Sequence, residues 1–365
     1  MRAIELCRTA ALGGHKDKCD NCSRLEISYN SCRNRHCPKC QTLVKEKWIA
    51  ARSELLLPIQ YFHVVFTIPS ILNPLVSMNK KLMYDLLFRS VSETLVELSH
   101  DLKHLGARIG VIGILHTWGQ NLMEHPHVHC IVTGGGLSPD GSRWVSCRKG
   151  FFIHVNVMSE LFKDKFLDIL KKSFKSGDLI FPGSIRHLKK PGTFESFRRH
   201  LYNKKWVVYC KPPFNGAKGV LQYLGRYTHK IAISNNRILS IRDGNVSFLW
   251  RDYADGNRQK TMTLKAEEFI RRFLLHVLPP HYVKIRHFGI LANRNCKNTI
   301  PLCREFLGSA KTVTKKINKQ ETWQEQLLRI CGIDVSVCPV CKKGRMLRVE
   351  ILLPYRCNGP PGLFK

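Results

Sequence analysis

Hydrophobic and polar positions along the middle of the chain sort it into strands and helices. "YFHVVFTIP" (61–69) is an aromatic and β-branched run closed by Pro69, the composition of a strand. "ARIGVIGILHTW" (107–118) and "HVHCIVTGG" (127–135) read as two more strands, and the "GLSPDGSRW" that follows has the Pro-Asp-Gly chemistry of a turn. Leu, Met and Phe recur at helical spacing from about 78 to 104, and a further helix is expected over 158–173. "AKGVLQYLGRYTHKIA" (217–232) is a helix candidate weakened by Gly219 and Gly225. Asp243-Gly244 stands between two alternating runs, a hairpin signature, and "LKAEEFIRRFLLHVLPP" (264–280) predicts a helix stopped by prolines. Strands that alternate irregularly with helices, plus a hairpin, predict an α+β fold: a central antiparallel sheet with helices packed on it.

The flanks break this pattern. Residues 1–58 are basic and rich in Cys and His, and 291–365 are basic and polar with a second C-x-x-C. Three consecutive regions are therefore expected: a small zinc-binding domain (1–58), the sheet-and-helix domain (59–290) and a basic C-terminal region (291–365). The charge balance changes the picture further. Lys and Arg number 59 against 27 Asp and Glu, a net charge of +32, which is most easily tolerated when a polyanion is the partner. No apolar run is long enough to span a membrane and no signal-peptide pattern is visible, so nucleic acid is the expected partner and the cytoplasm, in association with the nucleoid, the expected location.

The 15 cysteines cluster in C-x-x-C pairs, the pattern of metal binding rather than of a secreted disulfide framework. Cys19-x-x-Cys22 and Cys37-x-x-Cys40 each present two thiolates to one ion, and together they predict a structural Zn²⁺ site. Cys7, His15, Cys32 and His36 offer a second zinc, and metal is expected to supply the folding energy of so short a segment. Cys338-x-x-Cys341 has no second pair beside it, only Cys357 after it, so a complete local zinc site does not follow there.

"HPHVHCIV" (125–132) raises a different chemistry. Alternate residues of a strand share a face, so His127 and His129 point the same way while Val128 faces the core. Two imidazoles on one face are most of a metal site. If the strands ending at His116 and beginning at His127 pair antiparallel, His116 becomes the third ligand, with His125 and Gln120 as competitors. A solvated turn whose histidines bind nothing is the alternative. Tyr223 and Tyr227, four apart on the expected helix, share a face flanked by Arg226, His229 and Lys230. They read as ordinary amphipathic positions or as nucleophiles. A phenol with a pKa near ~10 becomes a competent nucleophile toward a phosphodiester when a metal stabilises the developing charge. No nucleotide-binding loop is present and no nucleotide cofactor is expected. The stretch 184–213 mixes cations with aromatic rings, the ingredients of a channel for single-stranded DNA or, equally, of a solvated basic loop over core aromatics.

Taken together, "CRTAALGGH", "SYNSCRNRHCPKC", "YFHVVFTIP", "HTWGQNLMEHPHVHCIVTGGGLSPDG", "YLGRYTHKIAISNNR" and "EEFIRRFLLHVLP" resemble, over nearly the whole chain, transposases of the insertion sequence 91 family, the two-tyrosine HUH rolling-circle enzymes. The resemblance implies an HUH-type nuclease sheet behind a zinc-binding segment, His127 and His129 holding Mg²⁺ or Mn²⁺, and Tyr223 and Tyr227 as nucleophiles. It implies cleavage of single-stranded DNA at the element's ends, a covalent link to the 5′ phosphate, and joining to target DNA. Family members carry residues upstream of the position of Cys7, where this chain has Met1 to Leu6, a difference that bears on recognition of DNA ends rather than on the chemistry. Competing readings are a catalytically inactive zinc-containing DNA-binding protein, a replication initiator or relaxase with the same chemistry, and a small-molecule metallohydrolase, which the charge disfavours.

Overall fold

A computed structural model describes residues 2–37, 39–211, 219, 221, 225, 232–253, 255–309 and 322–354. The chain divides into two units, one made of 1–54 with 313–365 and the other of 55–312. The expected division into three consecutive regions is thus replaced by one in which the two ends of the chain share a unit. The reason is strand pairing. β1 (Gly14–Cys19) lies between β2 (Leu25–Tyr29) and a strand from the far end, Met346–Leu352, β12 in chain order, with both pairings antiparallel. The helix Trp323–Cys331 packs against the helix Gln41–Ser53 in the same unit. It starts at a reciprocal cap: Thr322 Oγ1 accepts the Glu325 N–H and the Glu325 carboxylate accepts the Thr322 N–H.

The second unit is built on an antiparallel sheet in the order β11–β4–β5–β3–β7, with the short β6 (Trp144–Ser146) added to one end of β5. These strands are β3 (Tyr61–Thr67), β4 (Arg108–Trp118), β5 (Glu124–Leu137), β7 (Val207–Lys211) and β11 (Ile285–Gly289). Strand alternation divides its side chains between two faces. Phe62, Val64, Phe66, Val128, Cys130 and Val132 point to one face and pack on the helices Lys80–His100 and Val155–Lys175. Phe66 meets Phe162 edge-on at 5.1 Å between ring centroids. His63, His127, His129 and Ile131 necessarily point to the other face. The α+β class and the helix-flanked antiparallel sheet agree with expectation.

Local chemistry accounts for the smaller elements. Asp243 and Gly244 have φ of 50° and 70°, the paired left-handed geometry of a two-residue hairpin turn between β8 (Ile238–Arg242) and β9 (Asn245–Asp252). β10 (Arg258–Lys265) completes this second sheet, so Leu264 and Lys265, expected to open a helix, end a strand, and the helix runs Ala266–Leu275. Its Phe269 packs edge-on against Phe248 at 5.7 Å. Gly289 turns β11 away with a φ of 61°, where a Cβ would lie 1.8 Å from the Ile109 carbonyl oxygen.

Candidate metal centre

The β4–β5 ladder sets His116 directly opposite His127 and Ile114 opposite His129. The three imidazoles therefore share one face, and one ligand nitrogen from each lies within 4.8 Å of the others. The His116 ring centroid is 4.3 Å from that of His129 and 5.3 Å from that of His127. His127 Nε2 is 3.0 Å from His129 Nε2, while His127 Nδ1 donates to the His125 carbonyl oxygen at 2.6 Å. That bond fixes the tautomer with a lone pair on Nε2. Burial pushes His127 down to about 3 and His129 well below the usual imidazole value, so both are neutral donors at pH 7.

One contributor escaped sequence reasoning. His63 on β3 places Nε2 2.7 Å from His129 Nδ1, with the two rings 5.0 Å apart and only 7° from parallel. The tautomer of His129 that leaves Nε2 able to bind a cation has its Nδ1–H donating to His63 Nε2, the outer-partner arrangement that orients metal-binding histidines. The signal was available in part: Phe62, Val64 and Phe66 facing the core force His63 to the opposite face. That β3 neighbours β5 was not visible. Of the competitors, His125 keeps its ring 5.0 Å from that of His127 but lies outside the three-nitrogen group, and Gln120 Nε2 is bonded to the Tyr253 hydroxyl at 3.3 Å.

The donor set fits a divalent cation. Two nitrogens at about 2.1 Å from one ion lie about 3.0 Å apart at adjacent octahedral positions, against about 3.4 Å in a tetrahedron. The observed 3.0 Å puts both nitrogens within reach of one ion. Val65 on β3 stands opposite both His129 and Tyr209, so directly opposed residues form a row across the sheet ending at Tyr209, about 10 Å from His129 at two strand spacings. Within 184–213, Tyr202 and Tyr209 are exposed, whereas Phe194 and Trp206 are core residues. Tyr223, Arg226, Tyr227 and Lys230 lie outside the described residues.

The cysteines regroup. Cys19, Cys22, Cys37 and Cys40, expected in one site, are divided between two clusters. Cys37 and Cys40 meet Cys7 and Cys32, while Cys19 and Cys22 meet Cys338 and Cys341. The β1–β2 hairpin explains it: Cys19 and Cys22 sit at its turn and Cys7 and Cys32 at its open end. A six-residue strand is about 20 Å long, too far for one ion to reach both ends. His15 and His36 join neither cluster, and His15 pairs with Asp17 at 3.2 Å. Cys7 and Cys32 approach Cys40 at 3.4 and 3.7 Å between sulfurs, far beyond disulfide bonding. Four sulfurs at about 2.3 Å from a zinc ion lie about 3.8 Å from one another, so this tetrathiolate set fits Zn²⁺.

Comparison with known proteins finds a transposase region and a zinc-binding segment. Residues 110–299 match the family model described as "Putative transposase", and residues 1–68 match the "Transposase zinc-binding domain". "Putative transposase y4qJ" of Sinorhizobium fredii is 48% identical over 361 residues, covering 99% of this chain and 90% of that protein. The transposase for insertion sequence element IS801 of Pseudomonas savastanoi pv. phaseolicola is 31% identical over 307 residues, covering 83% of this chain and 72% of that protein. No solved structure matches the chain. Among the described residues no helix is long and apolar enough to cross a membrane. With a zinc-binding segment, a matching transposase region and relatives aligned along most of its length, the chain belongs to the insertion sequence 91 family of transposases.

Proposed function

We propose that the protein nicks and rejoins single-stranded DNA at the ends of a mobile element through a covalent 5′-phosphotyrosine, the chemistry of rolling-circle transposition. The observation that carries this reading is the convergence of His116, His127 and His129 on one sheet face, in a chain of net charge +32. His127 and His129 would hold Mg²⁺ or Mn²⁺, with His116 completing the set and His63 orienting the His129 ring. A cation held there would polarise the scissile phosphate and stabilise the charge that develops on its oxygens. The hydroxyl oxygen of Tyr223 or Tyr227 attacks phosphorus and gives up its proton. The P–O3′ bond breaks, the leaving strand takes a proton as a 3′-hydroxyl, and the tyrosine is esterified to the 5′ phosphate. Because the ester conserves the bond energy, a 3′-hydroxyl of a second strand, donor or target, can displace the tyrosine without ATP. Arg226 and Lys230 neutralise phosphates beside the nucleophiles, and exposed Tyr209, on the same face as the histidines, offers a ring on which a base stacks. Work on chromosomal DNA places the protein at the nucleoid in the cytoplasm.

The test is a labelled single-stranded oligonucleotide carrying an element end, incubated with the full-length protein and Mg²⁺ or Mn²⁺ and analysed under denaturing conditions. A protein–DNA adduct is expected, absent from the Tyr223→Phe/Tyr227→Phe double variant and from His127→Ala. An adduct that persists in the double variant, or DNA binding with no adduct in any metal and on both element ends, overturns the reading.

A further inference from the structure

We propose that Cys19, Cys22, Cys338 and Cys341 hold a second structural zinc ion, so that the two ends of the chain close one zinc ribbon between them. The matched zinc-binding segment stops at residue 68 and contains only half of this ligand set.

Four observations carry it. The sulfurs are spaced for one ion: Cys19 lies 3.7 Å from Cys341, and Cys22 lies 3.7 Å from Cys338, across sequence separations of 322 and 316 residues. The two C-x-x-C loops are also built alike. In the first, the Ser23 N–H donates to the Cys19 carbonyl oxygen at 3.1 Å and the Cys19 N–H to that of Arg24 at 2.9 Å. In the second, the Lys342 N–H donates to the Cys338 carbonyl oxygen at 3.1 Å and the Cys338 N–H to that of Gly344 at 2.8 Å. The residue four after the first cysteine is left-handed in both, with φ of 56° at Ser23 and 58° at Lys342. Each loop turns backbone N–H groups onto its sulfurs, from Asn21 and Cys22 to Cys19 Sγ at 3.4 and 3.5 Å and from Gly344 to Cys341 Sγ at 3.3 Å, the donors a thiolate needs.

The loops also interlock. Asp20 donates its N–H to the Arg345 carbonyl oxygen at 3.1 Å and accepts the Arg345 N–H on Oδ1 at 2.8 Å. Gly344 packs so closely that a Cβ there would lie 2.4 Å from Cys19 Sγ. Finally, the described residues of this unit bury no large apolar side chain. Among its described residues the buried ones are Cys7, Cys19, Cys37 and Cys338 with Gly13, Gly14 and Gly344, while Ile27, Tyr29, Leu347 and Ile351 are exposed. A sheet without an apolar core is held by its metal ions.

The experiment counts zinc in the full-length chain after saturation and removal of loosely bound metal, using a chromophoric chelator on the unfolded protein. Two ions per chain are expected, falling to one in Cys338→Ser/Cys341→Ser. Two ions retained in that variant, or only one in the wild type, overturns the proposal. If the variant does not fold, the wild type is titrated with chelator and its thiols are alkylated and located by mass spectrometry. Cys19, Cys22, Cys338 and Cys341 should become reactive together as one ion leaves. Labelling of Cys338 and Cys341 while Cys19 and Cys22 stay protected overturns it.

Discussion

Replacing His63 by phenylalanine removes the bond that orients His129 in the candidate metal centre. The ring volume stays, as does its parallel stack on His129, but the acceptor 2.7 Å from His129 Nδ1 is lost. Without a cation His129 can switch tautomer and donate from Nε2 to His127 Nε2, 3.0 Å away, so the metal-free protein is largely spared. With a cation on Nε2 the proton must sit on Nδ1, and there the His63 acceptor is gone. Leaving a buried N–H unsatisfied costs about 1–3 kcal/mol. Taking about 2 kcal/mol, at about 1.4 kcal/mol per factor of ten, cation affinity should fall roughly 30-fold, within the 10–100-fold range of outer-partner substitutions. The assay is Mn²⁺ binding followed by the spectroscopic signal of free Mn²⁺, alongside the Mn²⁺ dependence of adduct formation on single-stranded DNA. Half-saturation should shift to about 30-fold higher Mn²⁺ with the maximum nearly restored. His63→Gln, which keeps an acceptor oxygen, should recover part of the loss. Half-saturation unchanged within about two-fold, in a variant with wild-type circular dichroism, would refute the argument.

Two further outcomes follow from the packing. Phe66 is fully buried and meets Phe162 under the sheet, so Phe66→Ala should cost about 3–5 kcal/mol, read as a lower urea midpoint; a loss under about 1 kcal/mol would mean the helices repack over the void. His276 is buried, bonded through Nε2 to the Leu122 carbonyl oxygen at 3.0 Å, and desolvation depresses its pKa from 6.5 to about 4. The unfolded chain therefore binds a proton there that the folded chain refuses between about pH 6.5 and 4, so stability is full above 6.5 and declines as acid is added, by up to ~3 kcal/mol. His276→Gln should flatten that part of the urea midpoint against pH curve, and an identical slope would exclude the group.

Much of the central sheet was readable because its signals are local. Two-residue alternation in "YFHVVFT" and "HVHCIV", and Asp243-Gly244 between alternating runs, depend on neighbours a few positions away, and those elements are present. β7 was hidden inside a stretch dominated by cations, because only Val208 and Cys210 of its five residues face the core, too short an alternation to announce a strand. The face and spacing of the histidines followed from the strand period, whereas His63 depended on which strand lies beside β5. The cysteine grouping failed for the same reason on a larger scale. C-x-x-C identifies a two-thiolate grip but says nothing of its partner, and pairing the nearest grips joined Cys19 to Cys37 where the fold joins Cys19 to Cys341.

β12 completes the β1–β2 sheet only after the whole of the other unit, residues 55–312, has been made, and this orders events at the ribosome. At about 5–20 residues per second, the 316 residues between Cys22 and Cys338 take roughly 15–60 s to synthesise. Throughout that time β1 has an unpaired edge and Cys19 and Cys22 lack their partners, while the histidine-bearing sheet can already form. A polypeptide cut short by a premature stop codon or a stalled ribosome would thus carry an assembled histidine-bearing sheet and an open ribbon. Completion of the ribbon reports that translation has passed Cys341, which in a transposase separates these copies from shorter ones.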